Sequence, residues 1–341
     1  MTDQPVKYSE GRLKKLGRAF KGKRIAIVGD MMIDRYYWGS VGRVSPEAPV
    51  PVVDVSSEST RLGGAANVAN NVQTLGGEPL LIGLVGNDHE GESLKALLKE
   101  QGLTGSGIVV DRARRTTTKT RVIAHGQHVV RVDQESKENC SEEIEQKIID
   151  ALRKNLKKID ALILEDYNKG VVTKNVIHET IELARKNDTI IAVDPKFENF
   201  FEYKNVTVFK PNLREMEEAL GGRLRTVHDL VKAGNRMLRE LSAANVLVTR
   251  GEDGMSLFES GGMVTHLQTM ADNVQDVSGA GDTVIATLTM ALAAGATVRE
   301  AAALANYAGG IVVGSVGIVP IQLSELLDVA FHPSNNRGMK T

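Results

Sequence analysis

The stretch Asp276-Val277-Ser278-Gly279-Ala280-Gly281-Asp282-Thr283 decides how the rest of the chain is read. A polar run, 269–272, lies ahead of it and an apolar run, 284–294, follows, so it reads as a loop that turns into a buried helix. Gly279 and Gly281 remove side chains where a ligand could approach the backbone. The first N–H groups of a helix lack internal partners and stand at the positive end of its dipole. Such donors at Gly279, Ala280 and Gly281 would cradle an anion such as a transferring phosphoryl group. Asp282 would then be a carboxylate at the lip of an anion hole, placed to take a proton from an attacking hydroxyl. The same spacing also fits a plain Gly-rich helix start with Asp282 facing the helix dipole.

The 341 residues leave room for one large domain or a pair of ordinary ones, and 42% hydrophobic residues suffice for a real core. A formal charge of −1 supplies no global field for nucleic acid or an acidic membrane. The single cysteine, Cys140, excludes an internal disulfide framework and a multi-cysteine metal site, and fits a reducing cytoplasm. The N-terminal region is basic but has no apolar core of a secretory signal; Leu13, Leu16 and Phe20 instead give it a short amphipathic helix. No uninterrupted apolar run is long enough to span a bilayer.

Short apolar runs at 24–28, 80–85, 161–164, 190–193, 206–209 and 246–249 read as buried strands. Helical patterns at 65–75, 90–101, 142–156, 174–186 and 227–241 lie between them. Strands alternating with helices predict an α/β fold, a parallel sheet covered on both faces, with ligands at the carboxyl ends of its strands. Segments 35–61 and 108–132 break the alternation; they are β-rich, and Pro46, Pro49 and Pro51 forbid helix across the first. Both are expected to form strand pairs outside the main sheet, within one domain spanning 1–341. The polar tail 334–341 is expected to fray.

The 276–283 stretch resembles the second signature of the ribokinase-like (PfkB) carbohydrate kinases. This implies a three-layer α/β/α fold with a mostly parallel central sheet and a small β lid, through which some members dimerise; a homodimer is expected. It also implies ATP and Mg²⁺, with Asp282 as catalytic base and Gly279, Ala280 and Gly281 as the anion hole. A lid that closes would exclude water, which competes as phosphoryl acceptor.

Other motifs agree, each beside a plainer reading. Gly63-Gly64-Ala65-Ala66-Asn67 starts a helix with small residues, which suits close approach to a sugar or tight helix–sheet packing; Asn67 can donate to and accept from hydroxyls. It resembles the family's first signature. Asp34, after the first strand, could accept neighbouring sugar hydroxyls or cap a turn. Asn212-Leu213-Arg214-Glu215 matches the family's Asn-x-x-Glu motif, which implies nucleotide-phosphate contacts and, for Glu215, water around Mg²⁺; it equally fits an N-capping box. Thr249, Gly251 and Gly254 resemble the family's turn along the nucleotide, and Asn306 falls where the family packs adenine. His125 and His128 lack a third metal ligand, and the basic run containing Lys119 and Arg121 reads as a solvated strand edge or, alternatively, a contact for a phosphate-bearing substrate. There is no Gly-x-x-x-x-Gly-Lys-[Ser/Thr] motif.

Within the family, three stretches are similar to the heptose phosphate kinases: 29–36, 43–53 and Asp166-Tyr167-Asn168-Lys169-Gly170, together with Asp194-Pro195-Lys196. The resemblance implies phosphorylation of the anomeric hydroxyl of D-glycero-β-D-manno-heptose 7-phosphate, with Asp166, Lys169 and Lys196 among the substrate contacts. Arg35, Arg43, Lys169 and Lys196 are the candidate cations for the existing phosphate. No His-x-Gly-His motif appears, so a kinase without a nucleotidyltransferase domain is expected. Another kinase of the family, or a sugar- or nucleotide-binding regulator without activity, are the alternative readings.

Overall fold

The computed structural model describes residues 8–271 and 273–332; Asp272 of the polar run and the tail 334–341 lie outside them. In chain order, the first half contains α1 (Glu10–Phe20), β1 (Arg24–Gly29), β2 (Met31–Val44), β3 (Pro51–Gly64), α2 (Ala65–Thr74), β4 (Glu78–Gly86), α3 (His89–Glu100), β5 (Gly107–Asp111), β6 (Thr117–Ala124) and β7 (Gln127–Gln134). The second half contains α4 (Glu142–Asn155), β8 (Ala161–Glu165), α5 (Lys174–Arg185), β9 (Ile190–Asp194), β10 (Val208–Phe209), α6 (Leu213–Leu220), α7 (Val227–Leu241), β11 (Asn245–Thr249), β12 (Met255–Glu259), β13 (Val264–Leu267), α8 (Ala280–Ala293), α9 (Val298–Val312) and α10 (Leu323–Phe331).

The main sheet has nine strands in the order β13-β12-β11-β10-β9-β8-β1-β4-β5. It is parallel from β5 to β11, and β12 and β13 add an antiparallel edge. Alternate residues of its central strands enter separate cores: Ile25, Ile27, Ile163 and Ala192 pack with α1, α2, α8 and α9, while Ala26, Val28, Leu162 and Val193 pack with α4, α5 and α7. The result is the expected three-layer α/β/α arrangement, because a sheet buried on both faces needs an apolar partner layer on each.

The lid is a second sheet of order β3-β2-β6-β7. Its β2–β3 arm turns at the proline-rich segment 45–50. The expected boundaries need correction. The second segment enters the lid at Thr117; the run from 108 forms β5, which pairs in parallel with β4 at the edge of the main sheet. A β-branched run suits either sheet, and pairing decides. At Gly107 a Cβ would stand 2.4 Å from the Leu81 carbonyl, so the missing side chain lets β5 dock on β4. Arg121 also departs from the solvated-edge reading: it is buried against Asp34.

Candidate active site

The carboxyl ends of the central strands set a row of groups beneath the start of α8. Glu165 is in register with Gly29 on one side and Asp194 on the other. The Lys210 N–H, just beyond β10, donates to the Val193 carbonyl at 2.8 Å. Strand alternation turns Glu165, Asp194 and Lys210 to the same face as Ile163, Ala192 and Val208, the face that α8 covers. Gly29 makes room for the row: a Cβ there would lie 2.7 Å from the Glu165 Cβ. Lys210 Nζ and Asp194 Oδ2 form a buried ion pair at 2.7 Å. A Cβ on Gly281 would lie 3.5 Å from that carboxylate and 3.7 Å from the ammonium, so the pair forms the floor below the helix start.

Gly279 is the N-cap of α8 with φ of 77°, a conformation that glycine adopts freely. The Ala280 N–H donates to the Val277 carbonyl at 3.2 Å, so this expected anion donor is already engaged. The N–H groups of Gly279 and Gly281 have no acceptor among the described residues.

Asp282, in the first turn of α8, is 1% exposed. Its Oδ2 accepts from Asn67 Nδ2 at 2.7 Å and its Oδ1 from the Tyr167 hydroxyl at 2.6 Å. Burial raises its pKa to about 6, against those two hydrogen bonds and with help from the charges of Asp194 and Asp34. Neither holding group is free to move. Asn71 Nδ2 donates to the Asn67 carbonyl at 2.9 Å, and its Oδ1 accepts from the Thr283 hydroxyl at 3.1 Å, which ties α2 to α8. Tyr167 rides on a loop whose N–H groups, at Tyr167, Lys169 and Val171, all donate to the buried Asp30 carboxylate.

On the lid side, Asp34 is buried in β2 and paired with Arg121 of β6. A Cβ on Gly63 would stand 2.0 Å from Asp34 Oδ2, and one on Gly64 2.4 Å from the Asp30 carbonyl. These glycines thus act as spacers that admit neighbouring groups. Asp166 does not face the cleft as a free ligand: its oxygens accept from the Tyr203 hydroxyl and the Asn168 N–H, both at 2.7 Å. Burial and the nearby Asp30 raise its pKa to about 7. Lys169 pairs with Glu135 at 2.8 Å. Lys196 pairs with Glu215 and lies 5.2 Å from the centre of the Tyr167 ring, whose hydroxyl reaches Asp282.

On the other side of Gly281 a cavity of about 430 Å³ is lined by Thr249, Gly251, Gly254, Ala280, Gly281 and Asn306, among others. Asn306 Nδ2 donates to the Gln268 carbonyl at 2.7 Å. Asn212 and Glu215 make the capping box of α6, each side chain accepting from the other's N–H at 2.8 Å. Leu213 packs on the core beneath, and Arg214 is a solvent-facing partner of Glu218 at 2.8 Å. His125 accepts from the Val41 N–H at 3.2 Å, and no group of three metal-ligating side chains occurs among the described residues.

Sequence reasoning gave no role to Lys210, nor to Tyr167, Asp30 and Asp194, although the last three lie in the stretches quoted above. All lie at or just after strand ends, and alternation along β8 to β10 carried the signal for Asp194 and Lys210. The Tyr167–Asp282 bond joins positions 115 residues apart and left no local signal.

The pfkB family carbohydrate kinase model matches residues 23–322, and the chain belongs to that family of ATP-dependent sugar kinases. It is 42% identical over 301 residues to a protein named Bifunctional protein HldE from Geobacter sulfurreducens, covering 88% of this chain and 61% of that one. A namesake from Helicobacter pylori is 41% identical over 304 residues, covering 89% and 65%. The chain thus spans under two thirds of the length of these relatives. Among solved structures it resembles Arabidopsis thaliana ribokinase complexed with ribose and ATP (TM-score 0.72, 18% identity, 91% of this chain and 99% of that one). It also resembles Escherichia coli phosphofructokinase-2 with substrates and products (TM-score 0.75, 20% identity, 90% and 98%). At these identities the likeness concerns the fold.

Replacing Asp282 by Asn should lower kcat by about 10²–10⁴-fold, the usual cost of losing a positioned base, in steady-state assays of sugar-dependent ATP consumption. A base works ionised, so activity should fall as pH drops through about 6. Tyr167→Phe removes a bond that favours the ionised carboxylate; the acid limb of the kcat–pH profile should move upward. An unmoved limb would separate Tyr167 from the base.

Proposed function

We propose that this chain transfers the γ-phosphoryl group of ATP to the anomeric hydroxyl of D-glycero-β-D-manno-heptose 7-phosphate, giving the 1,7-bisphosphate, in the cytoplasm as part of ADP-heptose and lipopolysaccharide core biosynthesis. The observation that carries the reading is the Asp282 carboxylate, held by Asn67 and Tyr167 between the lid and the nucleotide-side cavity. The similarity to proteins named HldE supports the choice of sugar.

ATP lies with its base toward Asn306 and its phosphates toward Gly279–Gly281. The sugar enters from the lid, with Asp34 and Asn67 orienting its hydroxyls. Asp282 accepts the proton as the anomeric oxygen attacks phosphorus, and the leaving group is ADP. The unpartnered N–H groups at the helix start and the Lys210 ammonium below them stabilise charge on the group in transfer.

Mg²⁺ suits the donors here. Asp194 and Glu215 supply carboxylate oxygens beside Lys210 and Lys196, and neither oxygen of the buried Glu165, whose pKa burial and the charges of Asp194 and Asp282 push well up, has a hydrogen-bond partner among the described residues. Glu215 and Asp194 would hold the ion through water, since Mg²⁺ retains waters and shares substrate phosphates. Bound there, it would neutralise phosphate charge.

The lid also exposes Val44, Val55, Val130 and Val132, which fits a homodimer formed lid to lid. Light scattering should give twice the monomer mass, and Val130→Glu should shift it toward monomer.

Purified protein given ATP, Mg²⁺ and heptose 7-phosphate should yield a product whose phosphorus NMR spectrum carries a new phosphate on the anomeric carbon. Faster turnover of ribose or fructose 6-phosphate would reassign the substrate within the family. ATP consumption indifferent to every sugar would point to the regulator.

A further inference from the structure

Asp34 of β2 lies in register with Lys119 of β6, and Arg121 follows Lys119 on the same face of the lid. Arg121 is committed to Asp34. The partly buried Lys119 ammonium, in contrast, has no hydrogen bond or ion pair among the described residues. Its contact is with the Tyr167 ring, 5.0 Å from the centroid.

Neighbouring cations are occupied. Arg35 pairs with Glu90 at 2.9 Å, Lys169 with Glu135 at 2.8 Å and Lys196 with Glu215. Arg114 donates to the Lys169 carbonyl at 2.9 Å. The carboxylates of Asp34, Asp133 and Glu135 act on this ammonium, but none makes a hydrogen bond or ion pair with it, so an arriving anion would be its first direct partner. Burial and the Lys169 charge hold the Lys119 pKa below the usual lysine range, against the pull of Asp34, Asp133 and Glu135. The hydroxyl of the ring beneath Lys119 donates to Asp282. Lys119 therefore stands a tyrosine's length from Asp282, on the lid side, while Lys196, paired with Glu215, approaches the same ring.

We infer that Lys119 binds a phosphate group that the sugar already carries, remote from the hydroxyl that reacts at Asp282, and thereby selects phosphorylated sugars over free ones. The inference rests on the sugar kinase reading and gives that reading its specificity. Lysine suits this task as a compact charge with rotatable donors. Lys169, whose charge already acts on Lys119, is the next cation the phosphate would meet.

The test compares wild type, Lys119→Met and Lys119→Arg on heptose 7-phosphate and free heptose, with the pairs fructose 6-phosphate/fructose and ribose 5-phosphate/ribose as further probes. Methionine keeps the apolar contact with Tyr167 and removes the charge. Loss of one charge-assisted contact should raise KM for the preferred phosphosugar by about 10- to 100-fold. The fall in kcat/KM should be at least about tenfold larger than for the unphosphorylated partner, and arginine should recover most of that preference. Because the ratio is taken on one protein preparation, partial misfolding cancels. An equal loss on both sugars, a loss confined to kcat, or no loss overturns the inference alone. A wild-type protein that phosphorylates no sugar overturns the underlying reading and the inference with it.

Discussion

A carboxylate taken out of water is the constraint around which this molecule is arranged. Asp282 is buried in the first turn of α8, and each of its oxygens accepts one hydrogen bond from a different part of the chain. Those bonds favour the ionised form, while burial and nearby carboxylates favour the protonated one. The balance leaves a group that can both take up and release a proton near neutral pH, as a general base requires.

The same economy extends below the helix. Lys210 and Asp194 are buried together at the ends of adjacent strands. Such a pair adds little net stability, but removing one partner typically costs about 3–5 kcal/mol because the other charge is left alone. Its effect is geometric: it fixes a positive group beneath Gly281, where the helix N-terminus already collects donors. Asp30 does comparable work on the neighbouring loop. By accepting three backbone N–H groups it holds Tyr167 in place and therefore, at one remove, the Asp282 carboxylate. Asn71 does so from the opposite side, bonding both Asn67 and Thr283.

Two cationic regions result, separated by one aromatic ring. Lys196, paired with Glu215, and Lys119, beside Asp34 and Arg121 of the lid, both lie against the Tyr167 ring. A phosphate donor and a polar acceptor can thus approach Asp282 from different directions, which in-line transfer requires. A lid that closed over an acceptor would exclude the water that competes for the phosphoryl group.

Much of this was legible in the residues alone. The alternation of short apolar runs with helical periods determined the parallel sheet and its covering helices, because each pattern matches one way of burying apolar surface. Gly279-Ala280-Gly281-Asp282 announced a helix start with an acid in its first turn, since glycine suits the cap and an acid suits the helix N-terminus. Local pattern does not determine which partner a strand or a charge finds. It put Ile108-Val109-Val110 in the lid and left Arg121 in solvent, whereas the fold pairs the run with β4 and Arg121 with Asp34. It could not tell that Arg214 pairs with Glu218 or that Asp166 accepts from Tyr203. The Asp282 contacts with Asn67 and Tyr167 span 215 and 115 residues, and a bond of that range exists only once the chain has closed around it.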